Sequence, residues 1–322
     1  MSVSVAEFYH GKTVLLTGAT GYLAKIILEK LLRSTSCKKI FLLMRAKKDV
    51  SVQQRLQTEI LESALFEPLF DRRRDLLSKI NSILVPIAGD LSLPNLGISE
   101  ADRQSICAET EVIINSAANT STFTRLKEIL NQNYSGTVRL VELANKCPKL
   151  IIFSHVSTAY VGTNMPPGRL VREKINDDYS KLDWEEQIKL IKSLPDDECN
   201  RREKELLNGY LWPYLYVKNL CERYLERYAR HHRVVINRPA AVCHCAREPL
   251  VGWTETVSAP GMFCFPAYMG MLRTYYLPKG IKDIVPADIC SNAIIATTAY
   301  GSSKPKGFFQ IYHNNSTGQN PF

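Results

Sequence analysis

Short apolar runs alternate with longer amphipathic stretches over the first half of the chain. The runs lack a polar residue at every second position, which is typical of strands covered on both faces of a parallel sheet. They predict five strands, at 12–17, 39–44, 82–87, 111–115 and 149–153. The stretches with helical periodicity lie at 21–33, 51–70, 71–80, 99–109 and 124–145, with a break at Pro68. This alternation predicts βαβ units and an α/β fold with a doubly wound parallel sheet.

The pattern changes in the second half of the chain. A polar, charged segment after the fifth strand is interpreted as an insertion, with helical pieces at 181–194 and 196–207. A later stretch rich in proline, glycine and aromatic residues predicts an irregular lobe. The other predicted elements are helices at 214–232 and 288–300 and strands at 233–237 and 308–312. We interpret the chain as one domain with a core at about 10–161 and 210–238, a charged insertion at 162–209, a substrate lobe at about 239–285, and a final helix and strand at 286–313.

Composition narrows the class of protein. With 45% hydrophobic and 23% charged residues, the 322-residue chain lies in the ordinary globular range, which excludes a disordered, collagenous or coiled-coil protein. No apolar run approaches the roughly 20 residues of a membrane span, and the first residues lack the apolar core of a signal peptide. Nine scattered cysteines without a signal peptide predict reduced thiols in an intracellular protein. Cys243, Cys245 and Cys264 lack the spacing of a zinc site, so we predict no metal.

The formal net charge of +9 is compatible with nucleic acid, an anionic membrane surface or a phosphate-bearing ligand. No nucleic-acid-binding module and no organised basic face is recognisable, so we predict no nucleic-acid partner.

The turn between the first strand and its helix predicts a phosphate site. Gly18 and Gly21 allow a tight turn and a close approach of a pyrophosphate to the helix N-terminus. Ala24 stands at the third small position, where glycine is more usual. An ordinary βα turn is the alternative. The cofactor contacts predicted here are Thr17, Gly18, Thr20, Gly21, Tyr22 and Leu23.

The ends of the next strands extend this predicted cofactor site. The second strand ends in cations without an acid before Asp49, and the guanidinium of Arg45 suits the 2′-phosphate of NADPH. A solvated basic turn is the alternative. Asp90 could accept the adenine amino group or could cap its own loop. The remaining predicted cofactor contacts are Leu91, Ser116, Ala117, Ala118, Asn133, Lys218 and Pro239.

A tyrosine and a lysine four residues apart predict a proton donor. Tyr214 and Lys218 share one helix face, and the ammonium is expected to lower the phenol pKa and to hold the cofactor ribose. The same spacing at Tyr275 and Tyr300 encloses proline or glycine and is less suited to a helix. A hydroxyl of Ser157 or Thr158 is expected to bond the substrate oxygen, although either could instead bond loop backbone.

The phosphate turn, the hydroxyl–tyrosine–lysine set and the parallel sheet together resemble the Rossmann-like extended short-chain dehydrogenases/reductases. A finer resemblance is to the fatty acyl-CoA reductases. It is carried by segments at 11–23, 155–160, 238–239, 248–253, 271–274, 285–288 and 312–322. The sequence departs from that family at Ala24, Asn119, Ala240, Ala241 and Ser258.

The resemblance implies an alcohol-forming enzyme that reduces long-chain fatty acyl-CoA with NADPH, through the aldehyde. It also implies that a C-terminal domain of a longer protein is absent here. That longer protein is expected at the cytosolic face of the endoplasmic reticulum or a peroxisome, associated with the membrane. The acyl chain is expected at the apolar residues Met262, Phe263, Phe265, Tyr268 and Met269, which could equally form lobe core. A reductase of free aldehydes or ketones and a non-catalytic nucleotide-binding scaffold are the alternatives.

Overall fold

A sheet of seven parallel strands organises the protein. The computed structural model describes residues 4–175, 183–255, 261–274 and 283–316. The strands are β1 (Thr13–Thr17), β2 (Lys39–Met44), β3 (Leu84–Ala88), β4 (Val112–Asn115), β5 (Ile152–Val156), β6 (Val234–Pro239), β7 (Ala241–Cys243), β8 (Ile284–Pro286) and β9 (Phe309–Asn314). The sheet runs β3-β2-β1-β4-β5-β6-β9, and β7 and β8 form a separate parallel pair. The predicted doubly wound α/β fold is confirmed.

Helices connect the strands and cover both sheet faces. They are α1 (Val5–Tyr9), α2 (Tyr22–Ser34), α3 (Val52–Arg55), α4 (Glu67–Arg72), α5 (Arg74–Ile83), α6 (Glu100–Glu109), α7 (Leu126–Ile129), α8 (Gly136–Ala144), α9 (Trp184–Ser193), α10 (Asp196–Arg201), α11 (Glu203–Leu206), α12 (Pro213–Tyr228), α13 (Gly261–Tyr268) and α14 (Ala287–Ser302). Two π-helical segments, Leu56–Leu61 and Leu130–Ser135, join α3 to its loop and α7 to α8.

Successive apolar side chains of each strand enter opposite layers. Val14 and Leu16 of β1 belong to the cluster shared with α2 and α14, whereas Leu15 faces the layer of α6, α8 and α12. Each fully buried aliphatic side chain of this kind contributes roughly 1.5–3 kcal/mol of transfer free energy. A third cluster joins Ile188 and Ile191 of the polar insertion to α7 and α12. The insertion therefore packs beside α12, the helix that carries Tyr214 and Lys218.

Several element boundaries differ from the prediction. The helices predicted at 51–70 and 124–145 are each divided by a π-helical segment, and three other differences have a local cause. The fifth strand lies at Ile152–Val156, three residues later than predicted, because the polar Ser154 and His155 are buried within the sheet and pair in register with β4 and β6. The third strand starts at Leu84, since α5 continues to Ile83. Pro68 lies in the first turn of α4, where its missing N–H is tolerated, rather than at a helix break.

The lobe is more regular than predicted, because it contains β7, β8 and α13. In the part of the chain described, no helix is both long enough and apolar enough to cross a membrane. The eight described cysteines are free thiols. The Tyr275/Lys279 pair, Ser258, residues 317–322 of the family signature and the side chains of Met262 and Phe263 lie outside the described structure.

Candidate functional site

The carboxyl ends of β1 to β4 open into a cleft of about 1100 Å³. Ligands of open parallel sheets bind beyond this edge, where the crossover connections part. The predicted cofactor residues that line the cleft are Thr17, Gly18, Thr20, Gly21, Arg45, Asp90, Leu91, Ser116, Ala117, Ala118 and Asn133. The predicted residues that do not line it are Tyr22, Leu23, Ser157, Thr158, Tyr214, Lys218 and Pro239. Arg55, Asn119 and Gln132 line it and were missed from the sequence.

The glycine turn fits a closely approaching ligand. Gly18 has a φ of +76°, and a Cβ at this position would lie 2.8 Å from the Cα of Ala117. A Cβ on Gly21, which precedes α2, would lie 3.1 Å from the Gly18 carbonyl oxygen. A side chain at Gly18 would press on the Ala117 backbone and one at Gly21 on the Gly18 carbonyl, so the tight turn needs glycine at both positions. In turns of this kind a pyrophosphate is bound at the helix N-terminus. The residues therefore fit a dinucleotide.

A buried hydrogen-bond chain connects this turn to β5. The Thr17 hydroxyl accepts from the Ala117 N–H at 3.0 Å and donates to Asn115 Oδ1 at 2.8 Å. The Asn115 amide in turn donates to His155 Nδ1 at 3.1 Å. Burial, and then the nearby charge of Lys218, hold the pKa of His155 well below its usual value, so the imidazole is neutral. Hydrogen bonds between Thr17, Asn115 and His155 thus connect the carboxyl ends of β1, β4 and β5.

Tyr22 joins the turn to the lobe through its side chain. Its hydroxyl donates to the carbonyls of Cys243 at 2.8 Å and Trp253 at 3.2 Å. Its ring stacks on Trp253 with the centroids 5.4 Å apart, and burial raises its pKa. The Tyr22 hydroxyl is therefore committed to the lobe. The cofactor contacts predicted for Tyr22 and Leu23 would have to come from other atoms, such as the backbone at the start of α2.

Asn133 shapes the wall of the cleft. Its Oδ1 accepts from the Asn119 N–H at 2.8 Å, and its Nδ2 donates to the Asn119 carbonyl at 2.9 Å. The Asn119 amide donates to Gln132 Oε1 at 2.7 Å. The loop after β4 is consequently fixed against the π-helical segment that carries Asn133. Asn119, noted from the sequence only as a departure from the family, is the centre of this arrangement.

Arg45 is the cation of the cleft that the structure leaves most available. Glu59 binds both neighbouring cations, Lys47 at 2.7 Å and Arg55 at 2.6 Å, and Arg55 also donates to the Arg45 carbonyl. Hydrogen bonds from Arg55, and then from Lys47, lower the pKa of Glu59 to about 2. Arg45 is exposed and forms no ion pair within the described ranges. Its guanidinium is therefore free to meet an anionic ligand.

Asp90 forms the loop cap that was one of its two predicted roles. Its Oδ1 accepts from the Ser92 N–H at 2.8 Å and from the Ser92 hydroxyl at 2.7 Å. The same side chain lines the cleft, so contact with an adenine amino group stays a prediction.

Tyr214 and Lys218 lie one turn apart at the start of α12. The buried Lys218 ammonium donates to the Val156 carbonyl at 2.6 Å, and burial lowers its pKa. Burial raises the pKa of Tyr214. The predicted lowering of the phenol pKa is therefore wrong for this geometry, because burial, followed by the nearby Cys221, shifts the pKa of Tyr214 upward. The phenol keeps its proton at neutral pH.

The two candidate hydroxyls at the end of β5 have different partners. Ser157 donates to Glu222 Oε1 at 2.5 Å. Thr158 accepts from the Tyr160 N–H at 3.3 Å and caps the turn Ala159–Gly162, which leaves its own O–H available to donate. Both residues are buried. Thr158 therefore bonds loop backbone, as the alternative prediction had it, but only as an acceptor. Ser157 instead bonds the carboxylate of Glu222, a residue that the sequence did not indicate.

The sequence comparisons decide the family. The family profile described as male sterility protein, an NAD-binding domain, matches residues 16–294. Fatty acyl-CoA reductase 1 of Arabidopsis thaliana is 31% identical over 344 residues, which cover 100% of this chain and 70% of that protein. The chain belongs to the fatty acyl-CoA reductase family.

Other members of the fatty acyl-CoA reductase family are similar at the same level. A Drosophila melanogaster protein whose name places it in this family is 36% identical over 330 residues, covering 100% of the chain. Fatty acyl-CoA reductase 1 of Mus musculus is 33% identical over 325 residues and matches 99% of the chain. The chain spans 62% of the fly protein and 61% of the mouse protein.

Solved structures of reductase domains share the fold of this family member. The terminal R domain of the myxalamid PKS-NRPS pathway superposes with a TM-score of 0.67 at 22% identity, over 98% of this chain and 70% of that one. The R domain of a Mycobacterium tuberculosis nonribosomal peptide synthetase gives a TM-score of 0.65 at 21% identity, over 97% and 70%. A UDP-N-acetylglucosamine 4-epimerase gives 0.58 at 16% identity, over 94% and 76%. At these identities the likeness shows the fold alone.

Proposed function

We propose that this chain reduces long-chain fatty acyl-CoA with NADPH to the fatty alcohol, through the aldehyde. The observation that carries the proposal is the meeting of two features at one sheet edge. The glycine turn and cleft lie at the ends of β1 to β4, and the Tyr214/Lys218 helix is fixed to the end of the neighbouring β5 by the Lys218–Val156 hydrogen bond. When bound, the nicotinamide supplies hydride to the thioester carbonyl carbon and, in a second round, to the aldehyde.

Tyr214 is the proton donor of the proposed reaction. Because burial raises its pKa, the phenol carries its proton at neutral pH and can donate to the oxygen that becomes negative as hydride arrives. Lys218, held by the Val156 carbonyl at 2.6 Å, has further N–H donors for the cofactor ribose. As the C–S bond of the hemithioacetal breaks, its hydroxyl proton returns to Tyr214, and CoA leaves as a thiolate that takes a proton from solvent. Tyr214 is then protonated again and donates in reduction of the aldehyde.

Thr158 is the hydroxyl we assign to the substrate oxygen. The Ser157 proton lies in the 2.5 Å hydrogen bond to Glu222, so Ser157 cannot donate to substrate at the same time. Among the described residues the Thr158 hydroxyl only accepts, from the Tyr160 N–H, so its proton is available for a second partner. These partners support Thr158 rather than Ser157 as the hydroxyl that bonds the substrate oxygen.

We assign NADPH rather than NADH as the cofactor, because a cation that has no ion pair in the described structure lies in the cleft after β2. Glu59 binds Lys47 and Arg55, which leaves Arg45 as the cation of the cleft without an ion pair among the described residues. A guanidinium binds a 2′-phosphate through two parallel hydrogen bonds, whereas a free ribose hydroxyl is usually met by a carboxylate at this position.

The acyl chain is assigned to the surface of α13. Phe265, Tyr268 and Met269 are 53%, 89% and 56% exposed, so they are not lobe core. Exposed apolar clusters of this kind mark ligand or membrane contacts. Association of a longer form with the cytosolic face of the endoplasmic reticulum or a peroxisome stays a prediction, tested by fractionating cells that express it.

Oxidation of NADPH in the presence of palmitoyl-CoA tests the proposed function. We expect turnover with palmitoyl-CoA and with hexadecanal, and release of free CoA only with the thioester. Turnover of hexadecanal together with no turnover of any acyl-CoA would instead establish a carbonyl reductase of the same fold. Binding of NADPH without turnover of either substrate would establish a nucleotide-binding scaffold.

A further inference from the structure

A fully buried ion pair stands next to the candidate catalytic residues. Arg238 at the end of β6 donates from Nε to Glu222 Oε1 at 2.9 Å and from Nη2 to Oε2 at 2.6 Å. Both side chains are 0% exposed. Burying two charges is costly, and the desolvation penalty can exceed the Coulombic gain. The pair therefore calls for a role beyond stability.

Glu222 belongs to the same helix face as the proton donor. Tyr214, Lys218 and Glu222 follow one another at four-residue steps on α12. Lys218 donates to the Val156 carbonyl, and Glu222 accepts from the Ser157 hydroxyl at 2.5 Å. The helix is thus fastened at two successive residues of the chain that leads directly to Thr158.

Arg238 carries the connection onward into the insertion. Its Nη1 donates to the Arg172 carbonyl at 2.9 Å, and its Nη2 donates to the Lys174 carbonyl at 3.0 Å. Nη1 also contacts His313 Nε2 at 3.1 Å, and the His313 N–H donates to the Glu173 carboxylate at 2.7 Å. Residues 172–174 are therefore held to Arg238 directly through the carbonyls of Arg172 and Lys174. The Glu173 carboxylate adds an indirect link by way of His313.

We propose that Glu222 and Arg238 are positioning residues that couple segment 172–174 of the insertion to the Ser157–Thr158 backbone. This inference rests on the proposed function, because the coupling holds the Thr158 hydroxyl in line with Tyr214 for the substrate oxygen. The guanidinium is specifically required. Its planar fork binds the carboxylate with two N–H groups and still has donors for two carbonyls, which an ammonium cannot reproduce in one geometry.

Arg238→Lys tests the coupling while it keeps the charge. Cleavage by trypsin after Arg172 and Lys174 should become about tenfold faster or more, because the carbonyls of those two peptide bonds lose the guanidinium that holds them. With palmitoyl-CoA, kcat should fall about a hundredfold, as expected for a misplaced catalytic hydroxyl. The dissociation constant of NADPH should stay within about twofold, because Gly18 and Arg45 share no hydrogen bond with Arg238 in the described structure.

Glu185→Gln is the matched control. It removes an ion pair between α9 of the insertion and Arg227 on the same α12, but with side chains 60% and 43% exposed. This variant should leave tryptic cleavage after Arg172 and Lys174 and kcat unchanged, as is usual for surface pairs. A folded Arg238→Lys protein with wild-type cleavage rates and wild-type kcat would overturn the coupling.

Ser157→Ala supplies a second test if Arg238→Lys does not fold. It removes the hydroxyl and leaves the ion pair intact, so hydrogen–deuterium exchange should rise in peptides covering 157–162 and kcat should fall about tenfold. Unchanged exchange there would refute the link between Glu222 and the loop. Neither cleavage nor exchange depends on turnover, so a wild-type chain inactive on palmitoyl-CoA would refute the proposed function and leave the coupling to be decided by those two measurements.

Discussion

Tyr214 and Lys218 have different roles in the proposed site because their surroundings differ. Burial raises the pKa of the phenol and lowers that of the ammonium, and Lys218 is committed to the Val156 carbonyl. A tyrosine that stays protonated is suited to donate to a developing alkoxide. The lysine is suited to orient a ribose and to fix α12 against β5.

Tyr214→Phe is expected to lower kcat about a hundredfold to ten-thousandfold, the usual contribution of general acid catalysis. Binding of NADPH, followed by its fluorescence, should be unchanged. Because the pKa of Tyr214 is raised above the ordinary value of about 10, the wild-type reduction rate should show no loss from tyrosine ionisation between neutral pH and that value. Full activity of the variant would remove Tyr214 from the mechanism.

Gly18→Ala should abolish measurable binding of NADPH, because the added Cβ would lie 2.8 Å from the Ala117 Cα. Gly168→Ala is the matched control, since Gly168 has a φ of +80° and nothing within 4 Å of its Cβ position. Both variants carry the left-handed backbone cost of about 1–2 kcal/mol. Their difference in cofactor affinity, measured by titration, therefore isolates the close approach at Gly18. Equal affinities would contradict the phosphate role of the turn.

Arg45→Ala should reduce the preference for NADPH over NADH by about ten- to a hundredfold, as expected for a charge-assisted contact of 1.5–3 kcal/mol. Lys48→Ala removes a neighbouring exposed cation that does not line the cleft and should leave the preference unchanged. The ratio of kcat/KM for the two cofactors is the measurement. An unchanged ratio in Arg45→Ala would refute the 2′-phosphate assignment.

Helix α2 links the cofactor turn to the lobe at the scale of elements. The Glu248 carboxylate accepts from Lys30 at 2.5 Å, Arg33 at 3.0 Å and Asn292 at 2.9 Å, and Lys25 pairs with Glu255 at 2.5 Å. Burial opposes ionisation of Glu248, but the bonds from Lys30 and Asn292 and the charge of Arg33 lower its pKa to about 2. The lobe is therefore docked on α2, the helix that follows the glycine turn.

Acid should release this docking in a defined window. The folded pKa of Glu248, about 2, lies below its unfolded value of about 4.3, so the contribution is complete above the unfolded value and is lost as pH falls toward the folded one. Trp253 fluorescence should change over that range in the wild type. In Glu248→Gln the change should be absent or displaced, and an identical titration in both proteins would contradict the role of Glu248.

The sequence predicted the bounds of strands that are unbroken apolar runs. It misplaced the bounds of a strand that buries polar side chains. β1 and β2 are unbroken apolar runs, and the structure places them within one residue of the prediction. β5 was misplaced because His155 and Ser154 read as a strand end, whereas Asn115 satisfies His155 inside the sheet. Such a pairing joins residues 40 positions apart, and no local pattern reports it.

The parallel sheet decides how the parts of the whole molecule meet. It brings the ends of β1 to β4 around one cleft, which is why many of the residues that line the cleft could be predicted from the motifs after each strand. Glu222, Arg238 and segment 172–174 could not, because the network joins three distant parts of the chain around one buried ion pair. The net charge of +9 is compatible with two polyanionic ligands, and Arg45 is one contributor that the structure leaves exposed.

Transfer of isotope from the cofactor tests the central claim most directly. The chain is incubated with palmitoyl-CoA and NADPH deuterated at the reactive carbon, and the products are analysed by mass spectrometry. The account predicts hexadecanol with two deuterium atoms on carbon 1, free CoA in equal amount, and a rate of formation of both products lower by about a hundredfold or more with Tyr214→Phe. Palmitate and CoA without deuterium in any product would show hydrolysis and would contradict it.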